Sequence, residues 1–190
     1  MERKQELRRQ LKVVRDAIPK EVRCEKSRQI SERLVNTSWY RNTPNILAYS
    51  AIQSEVDLSV FCEKAWADGK RLYFPKVLGK EMEFYRIDSW HALCPGALSV
   101  KEPDIEHLVL EKYEEQPDSV MLVPGVAFSK EGYRIGYGAG FYDKYLAKHP
   151  SIYTIGVCFS EQVVVEIQPE IHDYCMRELV TERESRWKRI

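Results

Sequence analysis

Leu7, Leu11, Val14 and Ile18 recur at intervals of three and four residues, which predicts an amphipathic helix at the start of the chain. Pro19 ends that helix or opens the next, and Val22, Ile30 and Leu34 predict a second one reaching about Trp39. The pattern then changes. Residues 45–51, NILAYSA, read as a buried strand. Asp57 is placed to cap a helix carrying Leu58, Phe61, Ala65 and Trp66, with Gly69 ending it. RLYFP at 71–75 predicts the next strand, and EFYRI at 83–87 alternates as a half-exposed strand does. From Ser89 to Pro117 the chain is loop-rich, with Pro95, Gly96 and Pro103 between. SVMLVPG at 119–125 is an apolar strand ending in a turn, followed by a glycine-rich loop at 132–140 and a helix from about Phe141 to Lys148. TIGVCF at 154–159 and RELVT at 177–181 predict two more strands. Strands alternating with helices imply an α/β fold, a mostly parallel sheet with helices on both faces. Ligands of such sheets bind beyond the carboxyl ends of the strands, so chemistry is expected just after residues 51, 75 and 123.

Length and composition narrow this picture. A chain of 190 residues, 44% hydrophobic, suits one domain spanning 1–190 with a core that needs neither disulfides nor a structural metal. Twenty-nine basic residues balance 29 acidic ones, which argues against a general nucleic-acid binder. The cysteines, Cys24, Cys62, Cys94, Cys158 and Cys175, form no C-x-x-C pair and read as free thiols of a reducing compartment, serving as small core residues. The first ten residues, MERKQELRRQ, are charged throughout and contain Glu2 and Glu6, unlike a signal or transit peptide. No apolar run approaches the roughly 20 residues of a membrane span. The expectation is a cytoplasmic monomer acting on small molecules, with no nucleic-acid or membrane partner.

Four of the nine glycines, Gly132, Gly136, Gly138 and Gly140, fall in the segment GYRIGYGAGFYDKYL. Alternating glycines let backbone N–H groups converge on an anion, and the following helix adds its N-terminal dipole. Arg134 in the same loop can clamp a phosphate with two N–H groups. The order strand, loop, helix favours a phosphate cradle over a flexible turn. The segment is neither a Walker A motif nor the dinucleotide fingerprint. Tyr137, Phe141, Tyr142 and Tyr145 crowd it; some can stack on a flat ring, while Phe141 and Tyr145, four apart, suit helix packing better.

Residues 123–146, VPGVAFSKEGYRIGYGAGFYDKYL, resemble the signature of the 5-formyltetrahydrofolate cyclo-ligase family: a strand ending in Pro-Gly, an apolar pair, Gly-x-Arg-x-Gly-x-Gly-x-Gly, an aromatic pair and Asp. The resemblance implies a Rossmann-like three-layer sandwich related to sugar-phosphate isomerases and CoA transferases. It also implies an Mg²⁺-ATP-dependent ligase that converts 5-formyltetrahydrofolate to 5,10-methenyltetrahydrofolate with release of ADP and phosphate. Arg134 then becomes the catalytic arginine. Ile135, Gly136, Tyr137, Gly138, Ala139, Gly140, Phe141 and Tyr142 become ATP contacts, with 137–141 touching the folate as well.

Other positions gain roles only through that resemblance. Lys4 and Arg8 share a helix face with Lys12 and Arg15; alone the stripe reads as a solvated basic face, but Lys4-Gln5-Glu6-Leu7-Arg8 matches the family's ATP-contacting K-x-x-x-R. Glu55, just past the first strand, can accept pterin N–H groups or simply favour a helix dipole; the family places a folate-contacting Glu there, and Ser50 aligns with another substrate contact. Asp143 and Asp173 read alone as a helix first-turn acid and a turn residue, and match the family's magnesium-binding acids. His172 is expected to order Asp173, and Lys76 and residues 96–103, GALSVKEP, to approach the substrate. The chain departs from the family pattern at Phe141, Ala139, Ser129 and Arg177. Two rival readings stay open: an enzyme of the same fold acting on sugar phosphates or CoA esters, and a folate- or nucleotide-binding protein without catalysis.

Overall fold

The computed structural model describes residues 2–96, 100–171 and 173–187. In chain order the elements are α1 (Glu2–Asp16), α2 (Lys20–Val35), α3 (Ser38–Asn42), β1 (Asn45–Leu47), α4 (Ser59–Ala67), β2 (Arg71–Leu78), β3 (Glu81–Arg86), β4 (Leu93–Pro95), β5 (Lys101–Pro103), β6 (Ser119–Pro124), β7 (Ala127–Ser129), β8 (Arg134–Ile135), α5 (Phe141–Lys148), β9 (Tyr153–Val157), β10 (Val163–Val164), β11 (Glu178–Val180) and β12 (Ser185–Trp187). Seven strands form the central sheet in the order β12-β11-β9-β6-β1-β2-β3. Its five middle strands are parallel, and β3 and β12 are antiparallel edges. The parallel strands run second, first, third, fourth, fifth in chain order, so the direction of winding reverses between β1 and β6. That reversal is where open α/β sheets leave a crevice for ligands.

Side-chain alternation along each strand divides the core in two. Ile46, Leu72, Phe74, Val120, Leu122 and Ile155 face α2 and α4, meeting Ile30, Leu34, Phe61 and Ala65. Leu47, Tyr73, Met121, Val123 and Leu179 face α5, meeting Tyr145 and Leu146. A three-stranded sheet, β10-β7-β8, adds a third cluster. Val126, Ala127, Ile135 and Ile167 pack there, and Leu7 and Leu11 of α1 lean on them. The apolar stripe of α1 therefore brings its basic stripe beside β8 and the glycine segment.

Several boundaries differ from the sequence expectation. The second helix stops at Val35, and Trp39 belongs to α3, capped by Thr37 Oγ1 accepting the Tyr40 N–H at 3.3 Å. The strand expected over 45–51 pairs over only three residues; Ala48 N–H still reaches the Tyr73 carbonyl at 2.8 Å, and the chain then leaves the sheet. The N-cap of α4 is Leu58 and not Asp57, although Asp57 Oδ1, one residue earlier, accepts the Ser59 N–H at 2.8 Å. The stretch 89–117 contains the β4–β5 hairpin; positions 97–99 of GALSVKEP lie outside the described residues, as does His172. The glycine loop is not continuous over 132–140: Arg134 and Ile135 form β8, antiparallel to β7, leaving Gly132 in a hairpin turn. Cys62 and Cys158 are buried as expected of core residues, whereas Cys24 is exposed. Among the described residues, no helix is long and apolar enough to cross a membrane.

Candidate active site

A cleft of about 750 Å³ opens at the carboxyl ends of β1, β2 and β6, a volume ordinary for small-molecule sites of roughly 300–1,000 Å³. Tyr49, Ser50, Ile52, Gln53 and Glu55 follow β1. Pro75 and Val77 come from β2, Met82 from β3, Val100 and Glu102 from around β5, and Pro124 from the end of β6. Lys4, Gln5 and Arg8 project from α1, and Arg134, residues 136–143 and Glu170 complete the lining.

One end of the cleft gathers cations around the glycine segment. Arg8 Nε donates to the Gly136 carbonyl at 2.7 Å. Lys4 pairs with Asp173 and lies 3.4 Å from Glu170 Oε1. Arg134 Nη2 donates to Asp143 Oδ2 at 2.8 Å, and its guanidinium lies 5.3 Å from the centre of the Tyr142 ring. Arg134 is 8% exposed, yet its Nε has no hydrogen-bond partner. A buried donor left unmade costs about 1–3 kcal/mol, a cost that an incoming anion can remove. Gly138 and Gly140 have φ of +106° and +70°, left-handed backbone open to glycine without strain. Gly140 immediately precedes α5, whose first N–H groups have no intrahelical acceptor. Three cations, a strained-for-others glycine run and a helix start thus meet at one end.

The other end centres on Glu55, 8% exposed. Its Oε2 accepts the Ile52 N–H at 3.0 Å. Burial raises its carboxyl above the ordinary range, opposed by the Ile52 N–H and by the Arg15 guanidinium 4.0 Å away. Tyr137 bridges the two ends; burial raises its hydroxyl to about 12.

A family model described as the 5-formyltetrahydrofolate cyclo-ligase family matches residues 1–182. The chain belongs to the 5-formyltetrahydrofolate cyclo-ligase family. It is 29% identical over 204 residues to the 5-formyltetrahydrofolate cyclo-ligase of Saccharomyces cerevisiae, covering 93% of each chain. The solved structure of Aquifex aeolicus 5,10-methenyltetrahydrofolate synthetase superposes with a TM-score of 0.86 at 32% identity, over 98% of this chain and 93% of that one. A 5,10-methenyltetrahydrofolate synthetase from Mycoplasma pneumoniae shares the fold, with a TM-score of 0.76 at 23% identity over 94% of this chain and 98% of its own.

Of the positions singled out from this cyclo-ligase sequence, Lys4, Arg8, Ser50, Glu55, Arg134, Gly136–Tyr142 and Asp143 line one cleft. Ile135 does not; it is 2% exposed and packs with Val126 and Ala127, because β8 turns it away from the glycine run. Asp173 joins the cleft through Lys4, and the Tyr174 N–H beside it donates to Asp143 Oδ1 at 3.3 Å. Phe141 and Tyr142 both line the cleft and pack on the core, while Tyr145 is committed to packing against Phe84. Lys76 pairs with Glu102 at 3.2 Å, and its neighbours Pro75 and Val77 face the cleft. Arg15 overturns the expected solvated stripe: it is fully buried, bonded to Ser54 and Tyr137. Its periodicity matched that of Lys4 and Arg8, and no local pattern set it apart.

Proposed function

We propose that the cationic end of the cleft binds ATP, that the Glu55 end binds 5-formyltetrahydrofolate, and that the cleft closes the folate to 5,10-methenyltetrahydrofolate with release of ADP and phosphate. The observation that carries this reading is the convergence of Lys4, Arg8 and Arg134 on the glycine segment, with buried Glu55 on the wall nearby. The formyl group on N5 is amide-like, and its carbonyl carbon is a poor electrophile until its oxygen becomes a leaving group. That oxygen attacks the γ-phosphorus of ATP and ADP departs. N10 then attacks the activated carbon, loses its proton, and phosphate leaves with the former formyl oxygen.

Phosphoryl transfer asks a protein for positioning and charge stabilisation more than for covalent help. Lys4, Arg8 and the backbone of 136–142 hold the nucleotide, and Arg134 answers the charge that develops on the moving phosphoryl group. Glu55 accepts pterin N–H groups, Ser50 adds a second substrate contact, and 137–141 lies between the two ligands. Asp143 and Asp173 fit a magnesium ion: both are hard oxygen ligands, and a magnesium bound with nucleotide phosphates needs only one or two carboxylates. When bound it neutralises phosphate charge. Arg134 and Lys4 pair with these two acids, so both cations stand where they would face nucleotide phosphates held there.

The same reading makes residues 1–190 one domain of the Rossmann-like three-layer type related to sugar-phosphate isomerases and CoA transferases, supported by helices on both sheet faces. It also takes the protein to be a cytoplasmic monomer. The deciding experiment uses 5-formyltetrahydrofolate with heavy oxygen in the formyl group. Label in the released inorganic phosphate is expected; label found only in water would overturn the activation step.

A further inference from the structure

We infer that Arg15 is a positioning residue for the folate, a buried guanidinium on α1 that fixes Glu55 and Tyr137 relative to each other. The inference rests on the folate assignment just made. Lys4, Arg8 and Arg15 fall within about 40° of one line along the helix, and Arg15 lies roughly 10 Å beyond Arg8. The first two reach the nucleotide end. Arg15 is 0% exposed and reaches the other. Its Nε donates to Ser54 Oγ at 2.9 Å and its Nη2 to the Tyr137 hydroxyl at 2.7 Å. Its Nη1 lies 4.0 Å from Glu55 Oε1 and is buried with no hydrogen-bond partner. The Ser54 hydroxyl is in turn bonded to Asp16. One guanidinium thus ties α1, the turn at 52–55 and the glycine segment together.

Stability alone does not account for this arginine. Burying a charge with one nitrogen unsatisfied is costly, and a whole buried ion pair replaced by apolar side chains of similar volume is often neutral or stabilising. What an apolar side chain cannot do is hold a carboxylate in its charged form and in one orientation. The titratable groups facing Glu55 are Arg15 from α1, Tyr49 after β1, Tyr137 from the glycine segment and Tyr142 from α5. Arg15 is the cation among these four. Its unused Nη1 is the donor left to follow Oε1 when Glu55 closes on the pterin.

The test measures equilibrium affinity for 5-formyltetrahydrofolate and for ATP, separately and across pH, with thermal melts of the same samples. Arg15→Met leaves Glu55 buried without its cation, so it is expected to melt lower than the unaltered protein and, while folded, to bind the folate roughly tenfold to hundredfold more weakly, the scale of one charge-assisted hydrogen bond. Its ATP affinity is expected to hold. Without the guanidinium the carboxyl of Glu55 protonates more readily, so folate binding is expected to fail at a higher pH than in the unaltered protein. If Arg15→Met does not fold, Ser54→Ala reports the same tie by removing the hydroxyl that Nε holds; weaker folate binding is expected. Folate affinity and its pH dependence unchanged in a folded variant would overturn the inference, as would parallel loss of affinity for both ligands. Turnover in the same samples judges the ring closure separately: an unaltered protein that binds both ligands without turning over defeats the function, while the affinities still decide Arg15.

Discussion

Two arginines are buried among the described residues, and each keeps one nitrogen without a hydrogen-bond partner: Nε in Arg134 and Nη1 in Arg15. Arg134 stands at the glycine segment, and on the proposed function its loss is expected to fall on the chemical step. Arg134→Ala is expected to lower kcat about 10²–10³-fold, the usual scale for removing a preorganised donor to developing charge, with little change in folate KM. Unchanged turnover in a folded variant would contradict the assignment. The sequence singled out Arg134 because it sits among glycines in a strand, loop, helix order that favoured a phosphate cradle over a flexible turn, and the structure brings it to the cleft. Arg15 stayed hidden because its partners Ser54 and Tyr137 are 39 and 122 positions away. Helical spacing says which residues share a face; it does not say what will cover that face. Ile135 erred the other way, since proximity in the chain to the glycine run does not aim a side chain into the cleft.

At the scale of elements, the glycine segment is two pieces with different demands. A Cβ at Gly136 would stand 2.8 Å from Arg134 Nη1, a movable side-chain end. Gly136→Ala is therefore expected to fold and to lose turnover by displacing that guanidinium. A Cβ at Gly132 would stand 2.5 Å from the Met176 carbonyl oxygen, and φ there is +96°. Gly132→Ala is expected to lower the melting temperature, because backbone must give way. Melts and steady-state rates on the pair check this, and the reversed pattern would contradict the division. That division was not legible beforehand. β8 and β10 have two residues each, too few for any period to show, and their pairing with β7 is set by tertiary contact. The bounds of α5 were legible, because the glycines stop at Phe141, and Phe141 and Tyr145 then recur four residues apart on one face.

At the scale of the whole molecule, the five parallel middle strands of the central sheet were visible as apolar runs, since strands buried on both faces need no alternation. Their order was not, because it depends on which strands the crossovers bring together. The edge strand β12 went unseen for the same reason as β8. Burial across this sheet also sets a pH dependence. Glu178 on β11 is 1% exposed, neither of its oxygens has a hydrogen-bond partner, and burial raises its pKa from 4.5 to about 7. The folded protein then keeps a proton that the unfolded chain releases above 4.5. Stability from this site is greatest below that value and declines as pH rises through about 7. Glu178→Gln is expected to flatten the decline, melting higher than the unaltered protein near pH 8 but not near pH 5. Equal melting temperatures at both would contradict it.

The central claim is that one cleft couples ATP to ring closure on a formylated folate. Its most direct test follows methenyl absorbance in purified protein with 5-formyltetrahydrofolate and Mg²⁺, with ATP added or withheld. Product that forms only with ATP, at a rate that Arg134→Ala lowers, is the predicted result. Absence of product from folded protein with ATP bound, or product formed equally without ATP, would contradict the account.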